Sequence, residues 1–242
     1  NHASIIACLN STLETIQIMA NTFGIVPDTI TLTNNIVDAI LNCQKDDSKL
    51  QYLLSAFHSR RDYLLDHSYL CAYLCADLCT FVEWGTSETK TKLINASIYH
   101  DLMLHDVNLT LCFEDNDEAL LKKYKDSDIE KHKRHPQEMF ELLEKNRNIP
   151  ENVAEMVLKH HSRPGIKELA GFTLSPLESL FIVAHAYVHT FYINDFDKDK
   201  VLETFLKVKT TYNTSVYRKG LDALKKLLKR NYPEIADSIE DK

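Results

Sequence analysis

Apolar residues recur three and four positions apart along most of this chain, which is the period of a helix with one buried side. Ile16, Met19, Ala20 and Phe23 form one such set, and Ile36, Val37, Ile40 and Leu41 form the next. The pattern predicts a helix over 4–23, broken by Gly24 and Pro27. A second helix, capped by Asp28 or Thr29, runs to about residue 43, and a third starts at Lys49 behind Asp46-Asp47-Ser48. From 63 to 82 the pattern changes. His67, Cys71, Cys75 and Cys79 fall at every fourth residue, with Leu70, Leu74 and Leu78 beside them. That spacing predicts a core-facing stripe that begins on a histidine.

Residues 83–91 and 194–200 are polar and predict loops. Further helices are expected from near 92 to 101, up to 134, and over 137–145, with Pro136 in a first turn and His135 at the helix start. Another opens at Ile149-Pro150 and ends in His160-His161. The clearest start is at Ser175, which caps a helix with Pro176 in its first turn and Glu178 completing a capping box. Lys225, Lys226, Lys229 and Arg230 form a basic helix end ahead of Pro233. The chain holds only 5 Gly and 6 Pro in 242 residues, so long stretches run without a breaker and the fold class is all-α. Two parts are expected: 1–48, a helical linker or dimerisation surface, and 49–242, a larger helical domain.

The net charge of −7 argues against sequence-independent DNA binding, which needs a positive surface. It leaves room for a small anionic substrate, because bound metals supply local positive charge. Cysteines repeated every fourth residue on one helix are poorly placed for disulfides, so the expectation is buried, reduced thiols in a cytoplasmic protein. No apolar run reaches the roughly 20 residues that span a bilayer. The chain begins at Asn1 rather than Met, and a regulatory domain is expected ahead of it.

The candidate chemistry lies in one residue series: His67, His100-Asp101, His135, His160-His161 and His185. These residues sit at helix ends or on apolar faces, where a neutral imidazole needs a partner. A histidine next to an aspartate can offer nitrogen to one ion while the carboxylate reaches another. His105-Asp106 repeats that unit five residues later, and His189 repeats His185 one helical turn on. His132, in a Lys/Arg-rich stretch, is expected to be exposed.

This order resembles the HD-GYP branch of the HD-domain metal phosphohydrolases over 49–230. The resemblance is carried by Asp62-Tyr63-Leu64-Leu65-Asp66-His67-Ser68, Ala96-Ser97-Ile98-Tyr99-His100-Asp101, His135-Pro136, Lys159-His160-His161 and Ser175-Pro176-Leu177, with Ile182-Val183-Ala184-His185. The Ala-x-x-x-His-Asp frame favours His100-Asp101 over His105-Asp106, and His185 keeps His189 as its alternative. The resemblance implies an HD-domain-like bundle with a small N-terminal helical extension. It also implies two or three divalent ions, iron or manganese, held by His67, His100, Asp101, His135, His160, His161 and His185. Asp101 would bridge them as the catalytic carboxylate. The implied activity is hydrolysis of cyclic di-GMP or a related phosphodiester in the bacterial cytoplasm, with Arg163 and Lys167 on the substrate and the N-terminal helices forming a homodimer. Two features depart from the branch: Met103-Leu104 replaces its Gly-Lys, and 162–167 replaces its Gly-Tyr-Pro. The alternative is a degenerate metal-containing module that binds a nucleotide or a partner protein.

Overall fold

The computed structural model describes residues 2–43, 63–115, 118–164 and 173–240. The described residues form helices and connecting turns, with no strand among them. The helices are α1 (His2–Phe23), α2 (Pro27–Cys43), α3 (Tyr63–Leu78), α4 (Ser87–Tyr99), α5 (Val107–Asp115), α6 (Glu118–Leu121), α7 (Asp126–Glu144), α8 (Val153–Lys159), α9 (Pro176–Ile193), α10 (Val201–Thr211), α11 (Arg218–Asn231) and α12 (Ala236–Glu240). The expected third helix from Lys49 falls outside the described residues.

Two helices form the centre of the bundle. Every residue of α3 is buried, and so is α9 from Glu178 to Tyr192. A helix buried all round belongs inside a fold, so Cys71 and Cys75 are one part of a fully enclosed cylinder, and Cys79 opens the 3-10 turn that follows it. Those three cysteines are free thiols and buried, as the spacing predicts. α3 packs on α4 and α9, α4 packs on α8, and α8 packs on α7 and α9. α11 is the amphipathic outer layer. Leu221, Leu224, Leu227 and Leu228 face inward, while Asp222, Lys226 and Arg230 are exposed. Gly220 lets α11 approach α9 closely, because a Cβ there would lie 3.1 Å from Val183 Cγ2 and 3.3 Å from Leu180 Cα.

Leu13 and Ile16 of α1, and Ile36 and Ile40 of α2, belong to the same buried cluster as α3 and α9. The capping box at Ser175 and Glu178 is present as read, with Ser175 Oγ accepting from Glu178 N–H and Glu178 Oε2 accepting from Ser175 N–H. Helix α4 starts at Ser87, inside the span expected to be a loop, because Thr86 caps it by accepting from Thr89 N–H. Gly85 makes the tight turn before it, where a side chain would collide with the Cys79 carbonyl. Helix α7 runs unbroken from Asp126, so Pro136 lies inside the helix instead of in its first turn. Among the described residues, no helix is long and apolar enough to cross a membrane.

Candidate metal centre

The helices bring all seven candidate ligands together. His67 comes from α3, His135 from α7 and His185 from α9. His100 and Asp101 follow the last residue of α4, and His160 and His161 follow the last residue of α8. Two groups result, each with its ligand atoms within 4.8 Å of one another: His67, His100, Asp101 and His185, and Asp101, His135, His160 and His161. Asp101 belongs to both. All are buried except His161, which is half-buried.

Three of the imidazoles have their tautomer set by the same device. His100 Nδ1 lies 2.8 Å from the Ser97 carbonyl, His135 Nδ1 lies 2.5 Å from the His132 carbonyl, and His160 Nδ1 lies 2.6 Å from the Val157 carbonyl. A carbonyl only accepts, so each Nδ1 carries a proton and donates it, which turns Nε2 toward the centre; on the neutral rings of His135 and His160 that leaves a bare lone pair on Nε2. The backbone explains why those carbonyls are open. Ser97 and Val157 lie in the last turns of helices ending at Tyr99 and Lys159, where carbonyls lack an i+4 amide. The His132 carbonyl sits mid-helix, and its usual donor would be residue 136, which is proline and has no N–H. Pro136 thus frees the carbonyl that orients His135.

This makes Pro136→Ala informative. The new amide would compete with His135 Nδ1 for the His132 carbonyl. The metal-free protein is expected to gain stability, by up to roughly 3 kcal/mol for removing an interior proline. Ion affinity at the second group is expected to fall about 10–100-fold, the usual effect of losing a ligand's orienting partner. Calorimetric melting of the metal-free protein and a metal titration read the two effects separately.

The Nε2 atoms lie close to one another and to Asp101. His135 Nε2 is 3.3 Å from both His160 Nε2 and His161 Nε2. Asp101 Oδ1 is 3.3 Å from His135 Nε2 and 3.5 Å from His160 Nε2, and Oδ2 is 3.2 Å from His100 Nε2. Asp101 Oδ1 and His100 Nε2 are nevertheless buried without a hydrogen bond of good geometry. Acceptors this close repel unless a cation or a shared proton lies between them. Two ligand atoms bound at about 2.1 Å and separated by a tetrahedral angle lie about 3.4 Å apart, so the observed spacings suit a common ion. The donor set of six imidazoles and one carboxylate suits iron, manganese or zinc better than magnesium.

The local electrostatics agree. Burial opposes a charge on His100, but the Asp101 carboxylate beside it outweighs burial and holds its pKa up to about 9. Burial alone would raise Asp101, yet the His100 charge and the imidazoles around it hold it well below the ordinary carboxylate value. Burial, joined by His161, pushes His135 down and His160 far down, which keeps both neutral. The centre attracts positive charge at Asp101 and keeps neutral nitrogen on the opposite side.

A supporting layer fixes these elements. Gln17 and Asn21 of α1 donate to the carbonyls of Leu104 (2.9 Å) and Leu102 (2.8 Å), in the turn that follows Asp101. Lys159, one residue before the histidine pair, donates to Glu178 Oε1 at 2.8 Å, and Glu178 is the capping residue of α9. That buried pair joins the end of α8 to the start of α9, and so ties His160 to His185. Tyr217 Oη donates to the Ser162 carbonyl at 3.1 Å, holding the turn behind His161.

The residues that the sequence offered as alternatives lie outside the two groups. His105 and Asp106 are exposed; His105 Nε2 lies 3.1 Å from Asn21 Oδ1, and Asp106 Oδ1 accepts from Leu109 N–H at the start of α5. His189 belongs to neither group, and its Nδ1 lies 2.8 Å from Tyr63 Oη. His132 is buried rather than exposed, stacked edge-on to His135 with ring centroids 5.1 Å apart. Its Lys/Arg-rich neighbours point to solvent, while its own position on α7 turns it inward. Arg163 is half-buried in the turn after His161, and Lys167 lies outside the described residues. Sequence reasoning missed Gln17, Asn21 and the Lys159–Glu178 brace, because each contact joins distant segments. The one readable signal was Pro136 directly after a candidate ligand. No family model, curated protein or solved structure matches the chain, so its chemistry is read from these residues alone.

Proposed function

We propose that this protein is a metal-dependent phosphoesterase of the HD type, similar to the HD-GYP branch and lacking that branch's Gly-Tyr-Pro signature and its lysine after the His-Asp pair. One observation carries the reading: two ligand groups share a single carboxylate, Asp101, and the remaining ligands are imidazoles. Such a centre leaves its ions most of their positive charge, which favours a phosphate ligand over a neutral one. When bound, a pair of divalent ions polarises phosphoryl oxygens and acidifies water.

The chain's own contribution is positioning. Asp101 joins the two groups, Lys159 and Glu178 fix the relative placement of α8 and α9, and the backbone carbonyls of Ser97, His132 and Val157 aim the imidazoles. In the overall reaction, water oxygen bonds to phosphorus, the ester P–O bond breaks, and the departing alkoxide takes up a proton. The alternative, a non-catalytic metal-containing module, is favoured by Met103-Leu104 standing where the family carries its lysine.

The test is reconstitution with iron or manganese, followed by metal analysis and assay on a phosphomonoester, a phosphodiester and cyclic di-GMP. Two ions per chain with turnover of a phosphate ester support the enzyme. Two ions without turnover on any of these leave the binding module. A protein that takes up no ion removes both.

A further inference from the structure

A surface cavity of about 210 Å³ opens between the turn after Asp101 and helix α7. Its floor includes two buried histidines of α7, His132 and the candidate ligand His135. Its rim is exposed and charged, with Asp106, Asp128 and Lys131, and Glu138 lies half-buried on its wall. The cavity therefore reaches the centre at one of its candidate ligands, His135.

We infer that this cavity is the substrate pocket and that it takes a small phosphate ester whose alcohol part carries an ammonium group. The inference rests on the metal-dependent phosphoesterase reading of the same site. Two properties of the cavity support it. The first is size. Pockets for drug-sized ligands run roughly 300–1,000 Å³, so this one suits something smaller and does not enclose a cyclic dinucleotide. The second is charge. Three carboxylates, Asp106, Asp128 and Glu138, stand against one ammonium, Lys131. A phosphate at the floor would lie against the candidate ligand His135, while the outer part of the ligand meets carboxylates, which accept from ammonium and repel a second phosphate. Asp106 spends Oδ1 on the Leu109 amide, and Glu138 lies 3.6 Å from the exposed Arg134, a surface pair of small energy. Both carboxylates keep charge for a ligand.

The experiment uses two non-hydrolysable ligands of matched size, aminoethylphosphonate and ethylphosphonate, titrated by calorimetry into the manganese-loaded protein, with cyclic di-GMP as competitor. Aminoethylphosphonate is expected to bind at least about fivefold more tightly than ethylphosphonate, as several partly exposed ion pairs would give. Cyclic di-GMP is expected not to displace it. In the double variant Asp128→Asn/Glu138→Gln, the preference should fall to near unity, with ethylphosphonate affinity within about twofold of wild type. Both changes are isosteric and lie at the surface, and melting of the variant checks that the fold is kept. Equal binding of the two phosphonates, binding of neither, or displacement by cyclic di-GMP overturns the inference while leaving the metal centre standing. Failure of the protein to load manganese or iron overturns the underlying reading instead.

Discussion

Asp101→Asn is expected to release ions from both ligand groups at once, whereas single histidine replacements should release only one. Among the described residues, Asp101 is the sole carboxylate of the centre and the only residue common to the two groups. Asparagine keeps its size and an accepting oxygen but removes its charge. Taking one partner from a buried charged pair costs roughly 3–5 kcal/mol, which weakens each ion between about a hundredfold and a few thousandfold. His185→Ala should weaken only the group with His67 and His100, and His161→Ala only the group with His135 and His160. Metal analysis and competition titration of the three variants read this directly. The same Asp101 variant should lose turnover, while the His105→Ala control, a residue outside the centre and hydrogen-bonded to Asn21, should keep both ions. Asp101→Asn retaining two ions per chain at wild-type affinity would sink the shared-carboxylate reading.

Chelation should produce the second large effect, a fall in melting temperature. The ligands come from α3, α7 and α9 and from the ends of α4 and α8, so bound ions would cross-link five helices. Anything that binds only the folded state adds about 2.7 kcal/mol per site at a hundred times its dissociation constant. Two sites give about 5 kcal/mol, and for a chain of this size each kcal/mol moves the melting temperature by about 2–4 °C. A fall of roughly 10–20 °C on adding EDTA is therefore expected, measured by scanning calorimetry and reversed by excess manganese. The increment should shrink as pH falls, because the imidazoles must be neutral to bind and protons compete for them. An unchanged melting temperature in EDTA, for protein shown to contain metal beforehand, would contradict the cross-linking role.

Much of the secondary structure was legible in the chain. The capping box at Ser175 and Glu178, the break at Gly24, and the helix preceding His160 follow from local rules that act within a few residues. The errors have a common source. Pro136 reads as a first-turn proline on local rules, but α7 tolerates it inside because His135 Nδ1 occupies the carbonyl that the proline leaves open. His132 reads as exposed from its charged neighbours, yet burial on a helix is set by angular position, and Lys131 and Lys133 each point about 100° away from it. Helix α3 reads as a striped helix, but α1, α4, α9 and α11 enclose it on every side. No local pattern encodes how many neighbours a helix has.

The sequence by itself determined the helices, the absence of strand periodicity and the stock of possible ligands, since residue type and spacing of three or four are local properties. Which of those candidates lie together was decided by tertiary structure. His100-Asp101 and His105-Asp106 carry the same chemistry and both follow the helix end at Tyr99, but the turn between them sends the first pair inward and the second to solvent. His185 and His189 share a helix face and differ by one turn along the axis; only the packing of α9 against α3 puts the first beside His67 and the second beside Tyr63. The sharing of Asp101 between two groups needs four helices to converge on one carboxylate, and no spacing along the chain expresses that.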